Sequence, residues 1–188
     1  TCIYNGADPA VYHPFGAAVP RPGESLVVVT HHWSDNPMKG YDIYEKVDHL
    51  IANGRLPGFR LRVIGRWPDS IRWRSAELFG PMTGRPLADK LRECHIYLTA
   101  SRWEPCGMHH VEGAQCGLPL VYHEDGGGIV EAGRRYGLGF RDDPSAALRQ
   151  MADRWPEFRA KVLAQLPSGD RMALDYADLC TRLAAGAR

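Results

Sequence analysis

Apolar positions along this chain change period repeatedly. Leu26-Val27-Val28-Val29 is an uninterrupted run within Ser25–His31, and an apolar run without alternation predicts a strand covered on both faces. Phe59–Gly65 (FRLRVIG) predicts a second strand, Glu77–Gly80 a short third, His95–Ala100 a fourth, Leu118–Tyr122 a fifth and Leu138–Phe140 a short last one. Between them the spacing lengthens. Tyr44, Val47, Leu50 and Ile51 recur every three or four residues within Tyr41–Asn53, an amphipathic helix that Gly54 ends. Leu87–Cys94 reads as another helix, Ala146–Leu166 as two helices interrupted at Pro156, and about Arg171 to Ala184 as a final helix with Leu174, Ala177 and Leu179 to bury. Strands alternating with helices predict an α/β fold: a doubly wound parallel sheet of about six strands with helices on both faces and ligand at the strands' carboxyl ends.

One segment at such an end carries chemistry. Ser101–Gly117, SRWEPCGMHHVEGAQCG, follows the fourth strand and sets Glu104 and Glu112 on either side of a loop-to-helix junction. Pro105 and Gly107 break regular structure, and from Gly107 the positions Met108, Val111, Ala114 and Gln115 have helical spacing. The first amides of a helix lack partners within it and, with the macrodipole, favour a phosphate or diphosphate. Carboxylates repel phosphate but accept hydrogen bonds from hydroxyls. A glutamate before this site and another beyond it therefore suit a ligand with hydroxyl groups on both sides of a diphosphate, which describes a nucleotide sugar.

Composition limits the alternatives. A length of 188 residues suits one domain with a substantial core. The 23 basic against 22 acidic side chains give no electrostatic reason for nucleic acid or an anionic membrane as main partner. No run approaches the roughly 18 apolar residues of a spanning helix, and the N-terminus lacks a signal-peptide pattern. Cys2, Cys94, Cys106, Cys116 and Cys180 are odd in number and scattered, as reduced cytoplasmic thiols are. Thr1 in place of methionine points to a processed or excised piece.

The motif resembles the donor site of retaining glycosyltransferases of the GT-B fold, family 4 or glycosyl transferases group 1. The usual form there is E-G-F-G-x-x-x-x-E, then a small residue and C-G-L-P. Here Glu104-Pro105-Cys106-Gly107 leads to Glu112, Gly113 and Cys116-Gly117-Leu118-Pro119. The resemblance implies that Glu104 contacts the transferred sugar, Glu112 binds the ribose, and Cys106, Gly107, Met108 and His109 meet the diphosphate through the loop and its amides. Lys39-Gly40 matches a lysine-glycine pair that neutralises the diphosphate, which makes Lys39 and Glu104 the catalytic groups. Most relatives have an arginine where Ser34 stands, so neutral bonds from Ser34 and Asn36, or the charge of Arg66, must substitute. Charge-assisted bonds are roughly twice as strong as neutral ones. Pro81 and Met82 fall where relatives hold the base through backbone groups. Gly126–Glu131 (GGGIVE) replaces the family's G-G-I-P-E and offers Glu131 as a further contact.

The resemblance covers nearly the whole chain. It implies that residues 1–14, with Asn5-Gly6 and Asp8-Pro9, link two domains. Residues 15–170 are the Rossmann-like nucleotide-sugar domain, one half of a GT-B fold, and 171–188 a helix returning to an absent N-terminal, acceptor-binding domain. The implied donor is UDP- or GDP-linked, transfer of a hexosyl group needs no cofactor or metal, and the chain alone has little activity. Its expected place is the cytoplasm, peripheral to the membrane through the absent domain.

His109-His110 beside Cys106 invites zinc, but adjacent helical side chains diverge by about 100° and no second ligand pair stands nearby in sequence. His110 is expected to pack beneath the helix and Cys116 to be a buried thiol. Trp33 and Trp103 flank the expected cleft, where packing is the plainer role for tryptophan. A non-catalytic nucleotide-diphosphate module or a GT-B sugar epimerase would keep the same architecture.

Overall fold

The computed structural model describes residues 2–186; Thr1 of the expected linker and residues 187–188 of the expected final helix lie outside the described residues. Strands Leu26–His32 (β1), Phe59–Gly65 (β2), Glu77–Phe79 (β3), Ile96–Thr99 (β4), Leu120–His123 (β5) and Gly137–Phe140 (β6) form one parallel sheet in the order β3-β2-β1-β4-β5-β6. The helices are Tyr41–Ala52 (α1), Gly84–Arg92 (α2), His109–Gln115 (α3), Ile129–Tyr136 (α4), Ser145–Asp153 (α5), Trp155–Leu163 (α6) and Gly169–Gly186 (α7). Strand order reverses between β1 and β4. In open α/β sheets that switch point, at the carboxyl ends, is where ligands bind.

The continuous apolar runs have a plain cause. On β1 and β4, Val28, Ile96 and Leu98 join Tyr44, Val47, Leu61 and Trp155 in one core, while Val27, Val29 and Tyr97 join Leu91, Val111, Leu118 and Leu120 in the other. Successive strand side chains point to opposite faces, so a strand with a core on each side needs no polar alternation. Each fully buried aliphatic side chain contributes about 1.5–3 kcal/mol of transfer free energy. A polar tie joins the layers: the buried Trp155 indole donates to the His95 carbonyl at 2.8 Å, and the His95 ring accepts the Val27 N–H at 2.9 Å. Trp155→Phe removes the first bond and some volume, and is expected to cost about 2 kcal/mol. Differential scanning calorimetry should show this as a fall of about 4–8 °C in Tm.

The structure moves several expected boundaries. β1 runs one residue further, placing His32 in the strand. α2 starts three residues before Leu87, at Gly84. The break between α5 and α6 falls at Arg154, two residues before Pro156, because a proline in the first turn of α6 lacks only an N–H that would be unpaired there anyway. α3 begins at His109 and has seven residues, two fewer at its start than expected, so less macrodipole stands behind an anion site. α7 forms, but its apolar residues are not buried against the described residues: Leu174 is 66% and Leu183 65% exposed, Ala177 is exposed and Leu179 half-buried. The head of α7 is nonetheless fixed to the N-terminal segment. Ala7 donates to the Pro167 carbonyl at 2.8 Å and accepts from Gly169 at 2.8 Å. Among the described residues no helix is long and apolar enough to cross a membrane.

Candidate functional site

The site grows from the ends of β1 and β4. Beyond β1 the chain turns through Trp33–Asn36 into a 3-10 turn, Pro37–Lys39, which the Asn36 side chain caps by accepting the Met38 N–H at 2.9 Å. Gly40 follows at φ 80°, and a Cβ there would lie 2.3 Å from the Ala100 carbonyl oxygen. Only glycine permits both the left-handed turn and that approach. The close approach delivers Lys39 to the loop after β4, where its Nζ pairs with a carboxylate oxygen of Glu104. Both side chains are largely shielded, at 22% and 18% exposure.

The Glu104 loop is braced from behind. Trp103 donates its N–H to the Asp125 carbonyl at 2.7 Å, and Gly128 donates to the Glu104 carbonyl at 3.0 Å. A Cβ on Gly127 would come within 2.8 Å of that same carbonyl. The glycine run thus works here as a cradle that lets two backbones meet. Trp103 has φ 51°, strain that a non-glycine residue carries where the surroundings hold it, and its ring is exposed.

Glu112, in the first turn of α3, bonds His31 at the end of β1: Nε2 lies 2.8 Å from Oε2. Beneath them is a polar layer. His32 Nε2 is 2.9 Å from the Tyr44 hydroxyl and 3.1 Å from Thr30 Oγ1, and His109 Nε2 is 3.0 Å from Thr99 Oγ1. Ring centroids of His32 and His109 are 4.8 Å apart, those of His109 and His110 5.5 Å. Burial holds His32 and His109 well below the usual imidazole range, with neighbouring histidines and Lys39 pushing the same way; burial likewise brings His110 down to about 4. All three rings are therefore neutral at pH 7. Both His109 and His110 pack inward, so His109 offers a ligand only its backbone.

The remaining expected residues occupy different parts of the same region. Ser34 Oγ accepts the Asn36 N–H at 3.1 Å, so Ser34 and Asn36 both serve as turn caps. Arg66 donates to the Trp33 carbonyl at 3.0 Å and lies over its ring at 5.5 Å. Pro81 and Met82 share a recess with His31, His32 and Gly65. Met108 is exposed, and Cys106, also exposed, accepts from Asn5 Nδ2 at 2.8 Å. Tyr4 lies beside Glu131, whose hydrogen bond and charge raise the phenol's pKa. Cys116 is a buried thiol, its pKa raised to about 12 by burial. Among the described residues no cluster of three or more His, Cys, Asp or Glu is arranged to hold a metal ion.

A cavity of about 430 Å³ reaches Cys106, Gly107, His110 and Glu131 but touches none of Lys39, Glu104 and Glu112. Volume and chemistry thus disagree about the site. The ionisable groups decide it, because they converge where a doubly wound sheet presents its strand ends. Sequence reasoning missed His31, Tyr97 and His32. Two consecutive polar residues ending an apolar strand at its carboxyl end were the available signal.

The fold is that of one Rossmann-like half of a GT-B protein. Comparison with known proteins specifies the family: residues 24–154 match glycosyl transferases group 1, and the chain belongs to that family. Among solved structures it is similar to AviGT4, a glycosyltransferase involved in avilamycin A biosynthesis, with 27% identity and TM-score 0.72 over 98% of this chain and 57% of that one. Sucrose-phosphate synthase from Thermosynechococcus elongatus matches at 18% identity and TM-score 0.72 over 98% and 52%. Anabaena Alr3699/HepE, solved in complex with UDP and glucose, matches at 19% identity and TM-score 0.65 over 96% and 56%. The chain spans about half the length of these structures. Comparison with curated proteins gives no match.

Proposed function

We propose that the ends of β1 and β4 bind a nucleoside diphosphate sugar, UDP- or GDP-linked, for transfer of its hexosyl group with retained configuration. The observation that carries this reading is the convergence of Lys39, Glu104 and Glu112 at the switch point. In the reading, the Glu104 carboxylate accepts hydrogen bonds from sugar hydroxyls and Glu112 from the ribose. Lys39 and the loop amides from Gly107 to His109 take the charge that grows on the diphosphate as the glycosidic bond breaks. Preorganised charge at such a point is commonly the largest part of catalysis. Pro81 and Met82 border the base. The acceptor comes from a domain outside this chain, so the chain alone turns over little.

Titration calorimetry with UDP and with GDP tests the reading. Binding of one at submillimolar concentration is expected. No binding of either at millimolar concentration, with native circular dichroism, would sink it and favour a non-catalytic module. Turnover matching a two-domain enzyme would sink the expected dependence on a second domain.

A further inference from the structure

We infer that His31 is a positioning residue for the donor's ribose: it orients Glu112 through a three-residue chain, Tyr97–His31–Glu112. The inference rests on the nucleotide-sugar reading above and assigns a task to a side chain that the motif does not contain.

Three elements build the chain. Tyr97 stands on β4, His31 at the end of β1 and Glu112 in the first turn of α3. The Tyr97 hydroxyl accepts the His31 backbone N–H at 3.2 Å and lies 3.0 Å from His31 Nδ1. His31 Nε2 lies 2.8 Å from Glu112 Oε2. An ionised carboxylate only accepts, so Nε2 must carry a proton. The Tyr97 hydroxyl, 3.0 Å from Nδ1, completes the ring's second hydrogen bond. The network thus fixes the ring plane and aims the Nε2 N–H at the carboxylate.

The chain is well shielded at its base and open at its tip. Tyr97 is wholly buried, the His31 side chain is 5% exposed, and Glu112 is 21% exposed. α3 lies against the Tyr97 ring only because residue 113 is glycine: a Cβ there would fall 2.4 Å from a ring carbon. Glu112 also neighbours the buried Tyr12, whose pKa is raised by burial first and by this carboxylate second. With Oε2 tied to His31 and the Tyr12 hydroxyl also bonded to the carboxylate, the acceptor capacity that remains is what the two adjacent hydroxyls of a ribose would use. A surface glutamate samples many rotamers, and immobilising it beforehand removes that entropy from the binding step.

The test compares the better-bound of UDP and GDP with its 2′,3′-dideoxy analogue, by calorimetry on this chain. His31→Leu fills the ring's space without donating, and is expected to weaken the ribose nucleotide about tenfold while leaving the dideoxy analogue within twofold. His31→Gln restores an N–H near the Nε2 position and should recover most of the affinity. In a Glu112→Ala background, His31→Leu should change nothing further. Equal weakening of both nucleotides, or no weakening of either, would overturn the inference. Thermal midpoints and near-ultraviolet circular dichroism of each variant separate this outcome from misfolding. If the unmodified chain binds neither nucleotide, the donor reading falls and this role with it; if it binds but ignores His31, only this role falls.

Discussion

Lys39→Ala is expected to weaken nucleoside diphosphate binding about a hundredfold, roughly 2.7 kcal/mol. Two effects of one sign combine. A diphosphate loses a charge-assisted contact, typically about 1.5–3 kcal/mol, and Glu104, which pairs with Lys39 in the ligand-free protein, becomes an uncompensated anion beside the incoming phosphates. Glu104→Gln separates them. It frees Lys39 and removes the repulsion, so a nucleoside diphosphate without sugar should bind as well or better, whereas the nucleotide sugar loses its carboxylate acceptor and binds worse. Lys39→Ala with Glu104→Gln should then recover part of the hundredfold. Ser34 and Asn36 are engaged as turn caps and Arg66 is held against Trp33, so Lys39 is the cation paired with Glu104. Calorimetric affinities within threefold of the parent for Lys39→Ala would show that the diphosphate lies elsewhere. The loss should also shrink at high ionic strength, since the charges are only partly shielded.

The strands were legible because each carries its own evidence: a strand buried on both faces needs no polar alternation, and β1 and β4 supply continuous apolar runs locally, while β2 sets Arg60 and Arg62 between its apolar residues. The Glu104–Glu112 loop was legible for a different reason, since its residues are contiguous and need no knowledge of the sheet. Lys39 could be placed near them only through the resemblance, and Gly40 shows what makes the placement physical: its backbone sits against Ala100. His31 stayed hidden. Its partners lie 66 and 81 residues away, and the local signal, two consecutive histidines ending an apolar strand, does not name a distant glutamate. The start of α3 was missed because a helical spacing that includes Met108 does not say whether Gly107 and Met108 have helical hydrogen bonds. α7 was legible as a helix; amphipathic spacing predicts its apolar stripe but not what covers it, and Leu174 and Leu183 stand exposed among the described residues.

Acidification should destabilise this protein well before its carboxylates protonate. His32, His109 and His110 are depressed below the ordinary imidazole range of about 6.5, His110 to about 4. Below about pH 6.5 the unfolded chain binds protons that the folded chain refuses, so stability is full above that pH and falls as pH drops toward 4. Each such group costs up to about 1.4 kcal/mol per pH unit in that window. Several such groups titrating over the same window make the acid dependence steep against the 5–15 kcal/mol typical of a domain. His95 and His123, lowered chiefly by burial, add in the same direction. The packed surroundings offer no relief: His31, Lys39 and the other rings oppose a proton on His32 and His109, and only Glu104 draws one toward His110. Asp143 and Glu93 have lowered pKa values despite burial, owing to hydrogen bonds and nearby cations, and their contribution is lost only at lower pH. Urea midpoints at pH 7.5, 6 and 5 should therefore fall steeply, and His109→Gln, which removes one of these groups, should flatten the slope. A midpoint unchanged between pH 7.5 and 5 would mean that these imidazoles are hydrated in solution and that the layer beneath the switch point is not sealed. The tightness that keeps them neutral also holds His31, Lys39 and the Glu104 loop in register. Loss of nucleotide binding should accordingly follow the same pH course as loss of fold, with no separate inactive, folded state between them.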